Sequence, residues 1–174
     1  MAIDPKIFKA YDIRGVYPTE VNEDVAYQIG RAFVAFTQAA KVIVGRDARV
    51  SGPELFQALT RGITDQGADV LDIGVASTDM FYFACGSTAL PGVTVTASHN
   101  PKEYNGFKLV KKMPELLSGE KIRDVVLAGN FPESAKKGGI TPLDIKAGFK
   151  EKILSLIDVK KLKSRKIVID PANG

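Results

Sequence analysis

The apolar positions of this chain recur with two periods, one typical of amphipathic helices and one typical of buried strands. Where the helical period holds, capping residues precede it and glycines or polar loops follow it. These signals predict helices over residues 23–38, 52–66, 77–87, 119–127 and 142–158. Before the second helix, Ser51 and Glu54 fit a capping box, in which each side chain binds the other residue's backbone. The apolar face predicted for the last helix consists of Ile145, Phe149, Ile153, Leu156 and Ile157.

Short runs rich in valine and isoleucine separate these helices and predict strands. They cover residues 41–45, 68–75, 93–97, 107–110 and 166–170. Because strands alternate with helices, the predicted fold is an α/β layered domain in which helices flank a mixed, mostly parallel sheet. Asn105-Gly106 is a hairpin turn signal, so we expect the strand after it to run antiparallel to the strand before it. Residues 7–15 are expected to form a short extended segment and then a loop.

The predicted organisation sets the last residues apart from the rest. Residues 166–170, KIVID, look like a buried strand, yet no helix follows them within the chain. A natural chain rarely ends just past one apolar strand. We therefore expect residues 1–158 to form one domain, and residues 159–174 to be a linker and the first strand of a truncated second domain.

Composition narrows the classes of protein. The chain has 174 residues, of which 45% are hydrophobic and 25% charged, which is typical of a globular domain with its own core. The net charge of +4 favours anionic ligands slightly but is too small for a nucleic-acid-binding surface. Cys85 has no disulfide partner and is expected to be a buried thiol. With neither a signal region nor a membrane-spanning stretch, we expect a cytoplasmic location and no membrane or nucleic-acid partner.

Candidate chemistry is concentrated in three polar loops, Tyr11–Gly15, Gly45–Gly52 and Thr96–Lys108. The second and third follow strands whose carboxyl ends are expected at one edge of the sheet, where α/β proteins bind ligands. Arginine, lysine and glycine suit a phosphate, because they offer paired donors, a point charge and close backbone approach. The cations of these loops are Arg14, Arg46, Arg49, His99, Lys102 and Lys108. Ion pairing alone is an equally good explanation for the charged residues of the second loop.

Ser98 and His99, the only histidine, lie together in the third loop. A serine hydrolase is disfavoured because the surroundings are not G-x-S-x-G. In extended chain the two neighbouring side chains would also point to opposite sides, so a dyad would need a bend. A serine that carries a phosphoryl group fits better, and it needs nearby cations and usually a divalent metal. The aspartates of the chain are scattered without the spacing of a metal site.

The runs TASHNPKEYNGFKLV, FKAYDIRG, GRDARVSG and DVLDIGV resemble the N-terminal domain of the α-D-phosphohexomutases, especially the bacterial phosphomannomutase/phosphoglucomutase group. The resemblance covers nearly the whole chain. It implies an intramolecular phosphotransferase that interconverts the 1-phosphate and 6-phosphate of mannose and/or glucose through a hexose 1,6-bisphosphate. It also implies one Mg²⁺, held by the phosphate on Ser98 and by aspartates of a later domain. The expected partners are therefore a phosphosugar and further C-terminal domains of the same polypeptide.

The same resemblance implies roles for individual residues. Ser98 is the phosphoryl carrier and, through its phosphate, a metal ligand. Lys108 and His99 match positions near the transferring group, where they suit acid/base chemistry or charge stabilisation. Tyr11 and Arg14 match a contribution to the same crevice.

Three further residues have minor predicted roles. Asn100 and Asn105 are expected to shape the loop, and Lys102 to be exposed.

A non-catalytic sugar-phosphate or anion-binding module on the same fold is the alternative function, and the chain alone is expected to show no turnover.

Overall fold

The computed structural model describes residues 3–113, 115–132 and 134–170. Its strands are β1 (Ile13–Val16), β2 (Lys41–Arg46), β3 (Asp69–Val75), β4 (Gly92–Val95), β5 (Tyr104–Lys112), β6 (Glu115–Leu117) and β7 (Ile140–Pro142). Its helices are α1 (Glu23–Thr37), α2 (Gly52–Asp65), α3 (Thr78–Thr88), α4 (Gly119–Ala128) and α5 (Lys146–Ser155). None of the helices in these ranges has both the length and the apolar composition needed to cross a bilayer.

A single mixed sheet joins these strands in the order β1-β5-β4-β2-β3-β7, with β6 paired to the second half of β5. β2 runs parallel to both β3 and β4, and β3 runs parallel to β7. β5 runs antiparallel to β1, β4 and β6. Because β5 is the one reversed strand among those described, the predicted mixed, mostly parallel α/β sheet is confirmed.

Helices cover both faces of the sheet, and each face has its own core. On one face α1, α2 and α4 pack over a core that includes Val42 and Val44 of β2. On the other face α3 packs over Ile43, and its Phe81 is fully buried. Alternate residues of β2 thus point to opposite faces, as in a strand that is covered on both sides. Cys85 lies in the second core as predicted, and burial raises the pKa of its thiol to about 12.

The helices begin at the capping residues that the sequence indicates. Side-chain oxygens of Asn22, Ser77 and Ser118 accept backbone N–H groups of α1, α3 and α4 at 3.1, 3.3 and 3.4 Å. Gly67 follows α2 with a φ of +95°, a conformation that glycine adopts without a steric penalty. These four helices therefore match their predicted positions closely.

The capping box and the turn predicted near the sheet edge are wrong. Ser51 lies at the N-cap of α2, but its side chain makes no capping hydrogen bond. Its Oγ accepts instead from Asn105 Nδ2 at 2.8 Å. Asn105 and Gly106 lie inside β5 and pair with β1. β1 begins at Ile13, where the predicted extended segment was expected to give way to a loop. Glycine is required at position 106 because a Cβ on Gly106 would lie 2.0 Å from the carbonyl oxygen of Ile13. The antiparallel direction of β5 is nevertheless as predicted.

The chain after residue 139 departs furthest from the prediction. In place of a helix over residues 142–158, it forms β7 beside β3 and then the 10-residue α5. Ile145 is buried, and Phe149 packs edge-on against Phe83 with ring centroids 5.6 Å apart. The remaining members of the predicted apolar face are exposed, because α5 contacts the body of the domain only near its start.

The strand predicted over residues 166–170 is also wrong. These residues form no strand, and the side chains of Ile167, Val168 and Ile169 are exposed. Within the described ranges no other strand pairs with them, and an isolated strand is not stable in water. Residues 171–174 lie outside the described residues.

Candidate active site

Two polar loops meet at the carboxyl edge of the central strands. One covers residues 47–51 after β2, and the other, the serine loop (residues 96–103), connects β4 to β5. β2 and β4 are parallel neighbours, with Arg46 opposite Val95. The Asp47 N–H donates to the carbonyl of Val95 at 2.9 Å. The prediction that these two loops share one edge of the sheet is therefore confirmed.

Ser98 lies at the exposed end of this edge in a left-handed conformation, with a φ of +56°. Such a φ is uncommon for residues other than glycine and costs on the order of 1 kcal/mol, so the surroundings must hold it. The Ser98 N–H donates to Thr96 Oγ1 at 2.9 Å, and the Ser98 carbonyl accepts from Arg49 Nη2 at 3.0 Å. The backbone of Ser98 is thus held on both sides while its hydroxyl faces solvent.

The left-handed bend changes the relation between Ser98 and His99. We expected adjacent side chains to point apart, but Ser98 Oγ lies 3.4 Å from His99 Nδ1. Both side chains are exposed. In the described part of the chain no carboxylate pairs with His99, so the third member of a hydrolase triad is missing from these residues.

Almost all the hydrogen-bond donors of the Arg49 side chain are bound to other groups of the protein. Its Nη1 and Nη2 groups donate to four backbone carbonyls of the serine loop and the start of β5. These carbonyls belong to Ser98, Asn100, Pro101 and Tyr104, at 3.0, 2.6, 2.7 and 2.9 Å respectively. Its Nε lies 3.3 Å from Asp47 Oδ2. Arg49 therefore holds the loop and leaves few donors for a ligand phosphate, which corrects its predicted role as a ligand-binding cation.

Asp47 connects this arginine to the strand end. Its Oδ1 accepts from the Arg49 N–H at 3.0 Å, and its Oδ2 accepts from Thr96 Oγ1 at 2.7 Å. Arg46 also binds within the protein. Its guanidinium carbon lies 4.7 Å from the ring centroid of Phe56, and its Nη1 lies 3.9 Å from Asp72 Oδ1. Ion pairing thus accounts for much of the charge in this loop, as the alternative interpretation held.

A buried carboxylate joins two of the predicted site residues. Asp12 is only 6% exposed, and its Oδ2 accepts a hydrogen bond from Arg14 Nη2. The same oxygen lies 3.8 Å from Lys108 Nζ. The pairing of β1 with β5, which sets Ile13 opposite Phe107, explains this meeting because Asp12 and Lys108 are the chain neighbours of that pair. Asp12 thus gives both cations a common partner.

Ser98, His99 and Arg14 border two depressions beside the serine loop, whereas Lys108 lines neither of them. Ser98 and His99 line an open groove together with residues 47–50. Arg14 lines a second hollow together with Lys6 and Lys9, and its buried Nε has no partner among the described residues. Asn100 borders both depressions, and its Nδ2 donates to the Ala97 carbonyl within the loop at 2.8 Å. Lys102 is exposed as predicted.

Tyr11 is not brought to either depression. Its side chain is 80% exposed, and it is absent from the lining residues of both. Its predicted contribution to the site therefore stays a prediction.

The described residues do not fit a magnesium site of their own. Nowhere in residues 3–113, 115–132 and 134–170 do three histidine, cysteine, aspartate or glutamate side chains come together as metal ligands. Asp12 and Asp47, two aspartates near the serine loop, are already bound to cations of this chain. Neither is therefore a free carboxylate of the kind that Mg²⁺ prefers.

Comparison with known proteins agrees with the fold. A sequence model of a family described as phosphoglucomutase/phosphomannomutase, alpha/beta/alpha domain I, matches residues 5–129. A phosphomannomutase of Escherichia coli is 40% identical over 174 residues, covering 96% of this chain and 38% of that protein. A phosphoglucomutase of Neisseria gonorrhoeae is 40% identical over 183 residues, covering 99% of this chain and 38% of that protein.

A solved structure agrees as well. The crystal structure of a phosphoglucomutase/phosphomannomutase family protein from Burkholderia thailandensis matches with a TM-score of 0.80 and 37% identity, covering 88% of this chain and 36% of that one. The chain spans 38% of the length of the curated relatives named above. Since the family's domain I model covers the sheet edge with its serine loop, the chain belongs to the phosphoglucomutase/phosphomannomutase family.

Proposed function

We propose that this chain is the phosphoserine-bearing domain of a phosphohexomutase. In this proposal the enzyme interconverts hexose 1-phosphate and hexose 6-phosphate, of mannose and/or glucose, through a hexose 1,6-bisphosphate. One observation carries the proposal above the others: Ser98 presents an exposed hydroxyl from a backbone that is held on both sides at a strand end. A residue that must both receive and release a phosphoryl group needs this combination of a fixed position and open access.

The proposed transfer is balanced between Ser98 and the sugar. The free hydroxyl of a hexose monophosphate attacks the phosphorus on Ser98, and the bond between phosphorus and Oγ breaks. The proton of the sugar hydroxyl ends on Ser98 Oγ, and the product is the bisphosphate. The other phosphoryl group then returns to Oγ by the reverse step, which releases the isomeric monophosphate. In this proposal His99 takes part in these proton movements, which its distance of 3.4 Å between Nδ1 and Ser98 Oγ supports.

The cations near the loop stabilise negative charge in this proposal. Arg14 and Lys108 share Asp12, which fixes their positions and leaves the outer part of each side chain, 23% and 20% exposed, for a phosphate. Tyr11 is proposed to contact the substrate from the rim, in accordance with its exposure.

The domain arrangement is also a proposal. Residues 1–158 form the phosphoserine domain, and residues 159–174 lead into a second domain that covers Ile167, Val168 and Ile169. The exposure of these three apolar side chains supports this arrangement.

The test is mass spectrometry of full-length protein purified without phosphatase. We expect one phosphate on Ser98, either as isolated or after incubation with a hexose 1,6-bisphosphate. S98A should lose both this phosphate and mutase activity, whereas S87A, a change at an exposed serine of α3, should keep both. If wild-type Ser98 stays unmodified after incubation and S98A remains active, the proposal is wrong.

A non-catalytic anion-binding module is the second candidate, because Lys6, Lys9 and Arg14 line one hollow. The same samples distinguish the two functions. Retained binding of a hexose phosphate by S98A, with no phosphate on wild-type Ser98, favours the binding module.

A further inference from the structure

We propose that Arg49 is a positioning residue for Ser98, and that it acts through the geometry of its hydrogen bonds and not through its charge. This inference rests on the proposed phosphoryl transfer. Arg49 itself is not expected to touch the substrate, since its side chain is only 14% exposed and its donors are taken.

The first argument comes from the shape of the guanidinium. Its two Nη groups serve four carbonyls that span the serine loop from Ser98 to Tyr104. A planar group with five N–H donors in fixed directions suits such a convergence. The carbonyl of Ser98 is one of the four, so the arginine is bound directly to the residue that carries the phosphoryl group.

The second argument comes from the residues that fix the arginine itself. Asp47 pairs with Arg49 Nε at 3.3 Å and accepts from Thr96 Oγ1 at 2.7 Å. The same Thr96 oxygen accepts the Ser98 N–H at 2.9 Å. The peptide groups on both sides of Ser98 are therefore tied, through Arg49 and Thr96, to one carboxylate at the end of β2. This closed arrangement explains how Ser98 keeps its left-handed conformation.

The third argument separates geometry from charge. The positive charge of Arg49 faces Asp47, and its Nη donors face neutral carbonyls, so little of the charge is available to a substrate phosphate. A lysine in its place keeps the charge but has three donors around one atom, which cannot reach four separated carbonyls. If charge mattered, R49K would preserve function. If geometry matters, R49K should fail almost as R49Q does.

The experiment compares R49K, R49Q and wild type in the full-length protein, with R61K as the matched control. Arg61 is on α2, and its guanidinium stacks on Tyr27 with 5.1 Å to the ring centroid. We would measure kcat and KM for a hexose 1-phosphate and hydrogen exchange of the amides in residues 97–104. Thermal unfolding would verify that each variant is folded.

For both Arg49 variants we expect kcat to fall on the order of 100-fold, with little change in KM and faster exchange in residues 97–104. R61K should match wild type in kcat, in KM and in the exchange of residues 97–104. Wild-type kcat in R49K would overturn the inference, as would faster exchange without a loss of kcat.

If an Arg49 variant is unfolded, T96V replaces it, since valine keeps the shape of threonine but removes the acceptor of the Ser98 N–H. T96V is expected to lower kcat and speed exchange in the same way, and wild-type behaviour in both would again overturn the inference. Failure of the proposed function is distinguishable, because it appears in the wild type as the absence of phosphate on Ser98.

Discussion

At the scale of single residues, the cations of the candidate site are paired with carboxylates of the same chain. Asp12 is buried between Arg14 and Lys108, and Asp47 faces Arg49. Each carboxylate fixes the direction of its cation. Arg49 donates to neutral carbonyls of the serine loop, whereas the side chains of Arg14 and Lys108 stay partly exposed.

D12N tests the buried carboxylate. The amide keeps the shape but leaves two neighbouring cations without a countercharge, so we expect the free energy of unfolding to fall by about 1–3 kcal/mol. D124N is the matched control, because Asp124 pairs with Arg123 on the surface and is 76% exposed. Its expected change is below about 0.5 kcal/mol. Urea unfolding measures both, and equal losses would contradict the assigned role of Asp12.

At the scale of elements, β5 connects the two halves of the site. It carries Lys108, pairs with β1 on one side and β4 on the other, and receives the end of the serine loop. The close approach of β1 to β5 depends on Gly106, where an added Cβ would lie 2.0 Å from the carbonyl oxygen of Ile13. This contact aligns Asp12 with Lys108, so the geometry of the cation pair depends on a glycine that has no chemistry of its own.

G106A should therefore separate the strands. We expect a loss of about 1–3 kcal/mol or more in the free energy of unfolding, because backbone on the facing strand cannot yield as a flexible side chain can. G139A is the control, since an added Cβ there meets only Asp69 Oδ1 at 3.9 Å. Its change should stay within about 0.5 kcal/mol. Similar unfolding midpoints for the two variants in denaturant titrations would contradict the importance of this contact.

Sequence patterns predict some elements of this fold well and others poorly. The helices α1, α3 and α4 begin at side-chain caps, and α2 is followed by Gly67; these are local signals. β1 and β7 are short, and their pairing with distant strands has no local signature. Asn105-Gly106 misled because its glycine permits a close approach and its asparagine binds Ser51, which lies 54 positions away in the chain.

The same distinction applies to the site. Ser98 and the meeting of its loop with the loop after β2 were predictable, because parallel strands end at one edge. The roles of Arg49 and Asp12 were not, because they depend on contacts between segments about 50 and 96 residues apart, which no local pattern encodes.

At the scale of the whole molecule, the two cores on either side of the sheet indicate that the described domain is stable by itself. Large side chains on both faces, such as Phe33 and Phe81, are fully buried. The proposed phosphoryl transfer is expected to need further domains of the same polypeptide. We therefore expect the domain to fold by itself without catalysing the reaction.

The 174-residue chain tests this separation directly. We expect it to unfold in one cooperative transition, followed by circular dichroism, and to show no mutase turnover in a coupled assay. Adding a hexose 1,6-bisphosphate should not restore turnover, because the proposed function needs side chains of further domains, which this sugar cannot replace. Turnover at the rate of the full-length enzyme would show that the described residues contain a complete site.

The left-handed backbone at Ser98 also restricts which amino acid can occupy this position. Threonine has an equivalent hydroxyl and forms equivalent phosphate esters, so chemistry alone would make the two interchangeable. A branched β-carbon, however, is a genuine outlier at a positive φ. The backbone conformation at this position therefore favours serine over threonine, even though both side chains carry a hydroxyl.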